Sequence, residues 1–354
     1  MNIIKLWQPG LILIIFVILT SILYRKYKYV SKHRVLDKTD KKIILGLSLG
    51  YAFLSFIHFG QINHYGSWIA DTTNKYFTIN FSQPTSVKSI YYYYGMGNGN
   101  LQAEYKTQNN ESGVIVFNNN LAIYKWMSVD IPSQYNTQIT QITIRPANTT
   151  SIELKQMALF DNNNELIINY TINSPNNDLT QIQHLFTTTP PQNYQNTYLS
   201  SMFFDELYYA RTAYEYLHGI DPYTWVHPPL GMLLIIIGIL IFGMNPFGWR
   251  FMPNLAGILL IATLYLLAKR LFNSRKAAIV ASILIMFDFM HFSLNRMASI
   301  DSFATLFITC EYYFLYNYLL YKKEQKTKAA TISLLYSGIF FGLAIATKWN
   351  GIFT

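Results

Sequence analysis

Apolar positions along this chain fall into two patterns. Long unbroken runs occupy Leu6 to Tyr24, Ile43 to Gly60, Phe251 to Ala268, Ala277 to Phe292, Ser302 to Tyr321 and Ala329 to Ala346. Each is close to the ~20 residues needed to cross a bilayer core, so six transmembrane helices are expected. The run Leu230 to Phe242 is shorter, about 13 residues, the length of an interfacial or re-entrant segment. From Ala70 to about Asn193 the pattern changes to period-two alternation, as in "KYFTINF", "VKSIYYYYG", "AIYKWMSVDI" and "QITQITIRP". Turn-forming "GMGNGN" and "DNNNE" separate these pieces, and many short strands with polar turns predict a β-sandwich.

Composition supports the membrane reading. The 354 residues are 51% hydrophobic and 13% charged, with a formal net charge of +9. A soluble domain has about a quarter of its residues charged. The fold class expected is a polytopic α-helical membrane protein of about six spans with an inserted β-sandwich. Its parts are residues 1–60 with two N-terminal spans, 61–200 with the sandwich and a linker, 201–250 as a loop with interfacial helices, and 251–354 with four spans. The first apolar run has one basic residue before it, a basic block behind it and no small-x-small cleavage site, so it is read as a retained anchor. The single cysteine, Cys310, lies in an apolar run and can form no internal disulfide.

Charge sets an expected orientation. Basic residues concentrate at Arg25 to Lys42, Lys269 to Lys276 and Lys322 to Lys328. The positive-inside rule places all three loops in the cytoplasm, where anionic headgroups would meet them. The chain must then return through Phe251 to Ala268 from outside. Asp205, Glu206, His227 and Arg250 are therefore expected on the outer face, near the headgroups.

Those four residues belong to an unusual passage, "FFDELYYARTAYEYLHGIDPYTWVHPPLG". Leu207, Ala210, Tyr214 and Leu217 recur at helical spacing, and Gly219 with Pro222 ends the helix. Asp205 and Glu206 stand at its start. One reading is an N-cap with a favourable macrodipole, worth about 1 kcal/mol. The other is chemistry at the membrane surface. His227-Pro228-Pro229 fixes an extended entry into the next segment. Arg250, in "NPFGWRFMP", could hold a phosphate bidentately or anchor the helix by snorkelling. Asp288, His291, Arg296, Asp301 and Glu311 are ionisable groups in or beside apolar runs and are functional candidates by default. A carboxylate that accepts a proton, with a cation beside a departing phosphate, is what group transfer from a lipid phosphate requires.

The blocks "FDELYYARTAYEYLHG", "VHPPLGMLL", "FGMNPFGWRFMPNLAG", "AKRLFNSRKAAIVASILIMFDFMHFSLNRMASIDSF" and "GLAIATKWNG" closely resemble the protein O-mannosyltransferase family, which are GT-C-type membrane glycosyltransferases. The resemblance runs nearly continuously from Phe203 to Gly351. It implies transfer of mannose, with inversion, from polyprenyl-phosphate mannose to Ser or Thr hydroxyls of exported proteins. It assigns the family's Asp-Glu signature to Asp205, as base, and Glu206, in support. Arg250, His227 and Arg296 would bind the donor phosphate. The lipid-linked sugar is implied as substrate, no metal ligand set is assigned, and no nucleic-acid partner is implied. Met232 stands where the family usually has Lys. The inserted strands resemble discoidin-like, galactose-binding-like jelly rolls and lie outside the family's common pattern. The chain stops at Thr354 with about half the spans of a complete member, which implies a fragment, a split gene with a downstream C-terminal half, or an inactive product. Two rivals follow: a related lipid-carrier-dependent transferase acting on cell-envelope glycan, and an inactive membrane-anchored glycan-binding remnant.

Overall fold

The structure, a computed structural model, describes residues 36–62, 66–72, 74–97, 99–117, 123–133, 138–147, 151–186, 194 and 196–354. The expected first span, Leu6 to Tyr24, lies outside these residues. The described chain divides into two compact units, one from residues up to Ile62 and from Phe203 onward, the other from the residues between.

The first unit is helical: α1 (Lys38–Phe56), α3 (Glu206–His218), α4 (Leu230–Phe242), α5 (Pro246–Phe272), α6 (Arg275–Met286), α7 (Phe289–Asn295), α8 (Asp301–Lys323) and α9 (Thr327–Thr347). Local chemistry starts and stops each one. Asp37 and Asp40 form a capping box at α1, each carboxylate accepting the other's backbone N–H at 2.8 and 3.1 Å. Asn245 caps α5 by accepting from Gly248 N, and Pro246 occupies its first position. Gly219 closes α3 at φ 63°, a left-handed conformation that costs glycine nothing. α5 is the hub, packing on α1, α4, α6 and α8, while α9 lies along α8.

Among the described residues, fewer helices than the six expected spans are long and apolar enough to cross a membrane. By length and composition two helices can cross a membrane, Pro246–Phe272 and Thr327–Thr347, or three if α6 and α7 make one broken span. The expected continuous span over Ala277 to Phe292 bends by 61°. Asp288 restarts the helix there, its carboxylate accepting from His291 N at 2.7 Å. α1 falls short because Asp40, Lys41 and Lys42 lie in its first turns, and α8 because Glu311, Asn317 and the tyrosines at 312, 313, 316 and 318 lower its hydropathy.

Close backbone approach joins α4 to α5. A Cβ on Gly238 would overlap the Gly248 carbonyl, an obstacle that no rotamer change removes. Gly238→Ala is expected to destabilise the unit by about 1–3 kcal/mol. A thermal melt of the detergent-solubilised chain measures this, and an unchanged midpoint would mean that the helices part freely.

The second unit holds β1 (Trp68–Ala70), β2 (Phe77–Thr85), β3 (Ser89–Gly97), β4 (Leu101–Thr107), β5 (Ser112–Phe117), β6 (Trp126–Asp130), β7 (Ile139–Pro146), β8 (Ile152–Phe160) and β9 (Tyr170–Asn173), followed by a short helix α2 (Leu179–Gln183). They form antiparallel sheets of order β1-β8-β3-β6 and β5-β4-β7-β2-β9. Inward residues of both sheets, including Phe77, Ile79, Ile90, Leu101, Ile142 and Leu154, belong to one core. The tyrosine run does not offer an open stacking platform. Tyr92 and Tyr94 enter that core, Tyr93 is buried beside Trp126 and donates to Ser200 O at 2.8 Å, and Tyr91 packs on Phe160 and Tyr194.

Candidate active site

The two adjacent acids are separated by the geometry of a helix start. Neighbouring helical residues point about 100° apart, at 3.6 residues per turn. Phe204 takes a positive φ of 49° just before them, an uncommon conformation for a large side chain and of a kind found at functional sites. Asp205 occupies the N-cap position, yet its side chain makes no capping hydrogen bond. The capping reading therefore fails for Asp205. Glu206 instead fastens the incoming chain, its Oε2 accepting from Phe203 N at 2.9 Å.

Glu206 is fully buried and bound bidentately by Arg250, with Nε to Oε1 at 2.6 Å and Nη2 to Oε2 at 2.7 Å. Ala298 N donates to Oε1 at 3.1 Å, and Arg250 Nη1 donates to Phe59 O at 3.1 Å. One ion pair thus ties together the chain after α1, the start of α3, the first turns of α5 and the loop before α8. A buried pair is tolerated when its remaining donors and acceptors are matched in this way.

Asp205 lies in the fields of Asp301, Lys348 and His227. Asp301 is the first residue of α8, and Lys348, directly after α9, reaches it with Nζ to Oδ1 at 2.5 Å. Ser299 Oγ donates to the other Asp301 oxygen at 3.2 Å. The loop carrying His227 is braced at both sides. Trp349 Nε1 donates to Val226 O at 2.8 Å, and Glu215, paired with Arg211, accepts from Tyr223 N at 2.6 Å. The Arg211 guanidinium lies 4.0 Å from the Tyr223 ring centre.

Burial, then the like charge of Asp301, raises the Asp205 carboxyl above the ordinary carboxylate range, with Lys348 and His227 partly offsetting them. Burial, then Lys348, lowers the His227 imidazole, against the pull of Asp301 and Asp205. Its Nδ1 is buried with no partner among the described residues. Tyr209, 6.2 Å from the His227 ring, has its hydroxyl pushed up to about 12 by burial and by the two aspartates. Among the described residues no three His, Cys, Asp or Glu side chains gather as a metal site.

Of the residues expected from sequence, Asp205 and His227 come together. Arg250 and Arg296 both make contacts within the protein. Arg250 is engaged by Glu206, and Arg296 Nη2 donates to the carbonyls of Ile57 and His58 at 2.5 and 2.9 Å, closing the end of α1. Lys348, Trp349 and Tyr209 were missed. A lysine just after an apolar run and before a tryptophan reads as an interfacial anchor, and only the fold brings it to Asp301.

Charged side chains gather at the ends of helices of which two or three are long and apolar enough to cross a membrane. Residues 192–354 match the family model described as dolichyl-phosphate-mannose-protein mannosyltransferase. A polyprenol-phosphate-mannose–protein mannosyltransferase of Mycobacterium tuberculosis is 32% identical over 176 residues, which are 42% of this chain and 33% of that protein. The protein of the same description from Corynebacterium glutamicum is 30% identical over 178 residues, 42% of this chain and 34% of the relative. An undecaprenyl phosphate-alpha-4-amino-4-deoxy-L-arabinose arabinosyl transferase of Proteus mirabilis is 27% identical over 152 residues, 41% and 27% of the two chains. The match thus covers about a third of the length of the curated mannosyltransferases. No solved structure matches.

Proposed function

We propose that the helical unit carries the donor-side and base machinery of a mannosyltransferase that moves mannose from polyprenyl-phosphate mannose to a Ser or Thr hydroxyl of an exported protein. The observation that carries this reading is Asp205: a carboxylate at a helix start, free of any capping bond, with Asp301, Lys348 and His227 acting on it. Asp205 takes the proton of the acceptor hydroxyl as its oxygen bonds to the anomeric carbon. The bond from that carbon to the phosphate oxygen breaks on the opposite side, and the electron pair leaves with the polyprenyl phosphate. Lys348, with His227 as hydrogen-bond donor, offsets the charge that gathers on the phosphate. Glu206 and Arg250 hold the helix ends that place Asp205.

The outer membrane face is the side this reading assigns to the site, from the basic loops at Lys269 to Lys276 and Lys322 to Lys328. The strand-rich unit is proposed to be a discoidin-like β-sandwich that selects the acceptor. Membranes carrying the chain, with and without the coding region downstream of it, would be assayed for transfer of radiolabelled mannose from polyprenyl-phosphate mannose to protein. Label appearing in an envelope glycan, or nowhere, would reject the reading.

The pH dependence has a defined sign. Asp205 must be ionised to act, so the acid limb of kcat/KM should fall above the ordinary carboxylate value of about 3.9. Asp301→Asn removes a charge that raises Asp205 and releases Lys348, which lowers it. The limb is expected to move to lower pH in that variant. A limb that stays in place would show that Asp301 does not act on the base.

A further inference from the structure

At the opposite end of α5 from Arg250, about 30 Å away at 1.5 Å per residue, lies a second polar site. That separation is about the thickness of a hydrocarbon core. A cavity of about 550 Å³ opens there, with Asp37, Asp40, Lys269 and Arg270 in its wall. The two acids are already engaged. Arg275 donates to Asp40 through Nε at 2.9 Å and to Asp37 through Nη2 at 2.5 Å, and the Tyr265 hydroxyl donates to Asp40 at 2.8 Å. The second Asp40 oxygen accepts from Asp37 N.

The cations are less committed. Lys269 stands 3.4 Å from an Asp40 oxygen already shared by Arg275 and Tyr265. Arg270 gives Nε to a neutral amide, Asn317 Oδ1, at 2.7 Å and lies 5.3 Å over the Tyr321 ring. Leu271, Leu320, Asn273 and Tyr316 complete the wall, and Phe272 and Leu319, exposed, adjoin the two leucines in sequence. Two cations over an apolar flank match a phosphate carrying an acyl tail, and the Arg270 fork suits two phosphate oxygens.

We infer that this cavity binds the phosphate headgroup of an anionic phospholipid. The site is distinct from the one around Asp205 and stands whether or not the mannosyltransferase reading does. The test is native mass spectrometry of the detergent-solubilised chain titrated with phosphatidylglycerol or phosphatidylcholine. Phosphatidylglycerol is expected to bind about tenfold more tightly, and Lys269→Gln to remove most of that preference. Lys276→Gln, an equal loss of charge at an exposed position outside the cavity wall, is expected to change binding less than about twofold. Arg270→Lys keeps the charge and loses the fork, so it is expected to weaken binding even if Lys269→Gln does not fold. A lipid-free melt of each variant identifies the folded ones. Equal losses in the Lys269 and Lys276 variants would overturn the inference in favour of diffuse attraction. Displacement of the lipid by inorganic phosphate at equal concentration would overturn it in favour of a free-phosphate site.

Discussion

Asp205→Asn is expected to lower mannosyl transfer by about 10²–10⁴-fold, the usual contribution of a positioned general base. The same change should leave the fold intact, because the carboxylate makes no capping bond that Asn would break. Its midpoint of thermal unfolding should even rise slightly. Burial and the negative charge of Asp301 both disfavour the ionised Asp205 side chain, and a neutral amide of the same shape relieves both. Stability gained with activity lost is the pattern of a site group held against its own preference. A purely structural Asp205 would give the reverse, a lower midpoint with transfer lost only in proportion to unfolded protein.

Glu206→Gln should behave in the opposite way. Arg250 would remain fully buried, with a neutral amide in place of its bidentate carboxylate. Leaving one partner of a buried pair uncompensated costs about 3–5 kcal/mol. Against a total stability of about 5–15 kcal/mol, that loss is large enough to reduce the yield of folded chain. Arg250→Met is expected to do the same, by stranding Glu206. Replacing both, as Glu206→Leu with Arg250→Met, removes both charges and should recover part of the loss. Thermal melts of the three variants decide this, and a double variant no more stable than the singles would show that contacts to Phe59, Phe203 and Ala298 matter more than the pair itself.

The acid pair was legible in sequence because a helix start announces itself: periodic Leu207, Ala210, Tyr214 and Leu217 follow it, and Gly219 closes it. The short segment before Arg250 was also legible by length, and Leu230–Phe242 is a helix of 13 residues. The division of labour between the two acids was not. It depends on which carboxylate meets Arg250, a partner 44 positions further on, and no local pattern encodes that meeting. Lys348 was hidden for the same reason, since its partner Asp301 lies 47 positions away. The broken span at Asp288 was hidden by composition, because an apolar run looks continuous whether or not one aspartate caps a new helix inside it. Strand positions in the second unit were readable from alternation, whereas burial of Tyr93 on the face of β3 opposite Tyr92 and Tyr94 followed from packing by Trp126.

The central claim is that Asp205 performs chemistry while Glu206 performs support. Its most direct test is the initial rate of mannose transfer from polyprenyl-phosphate mannose at saturating donor, expressed per folded molecule, for the wild-type chain, Asp205→Asn and Glu206→Gln in the same membranes. Expected are loss of transfer in the folded Asp205 variant and retained transfer in whatever fraction of the Glu206 variant folds. Wild-type rates from folded Asp205→Asn would contradict the account.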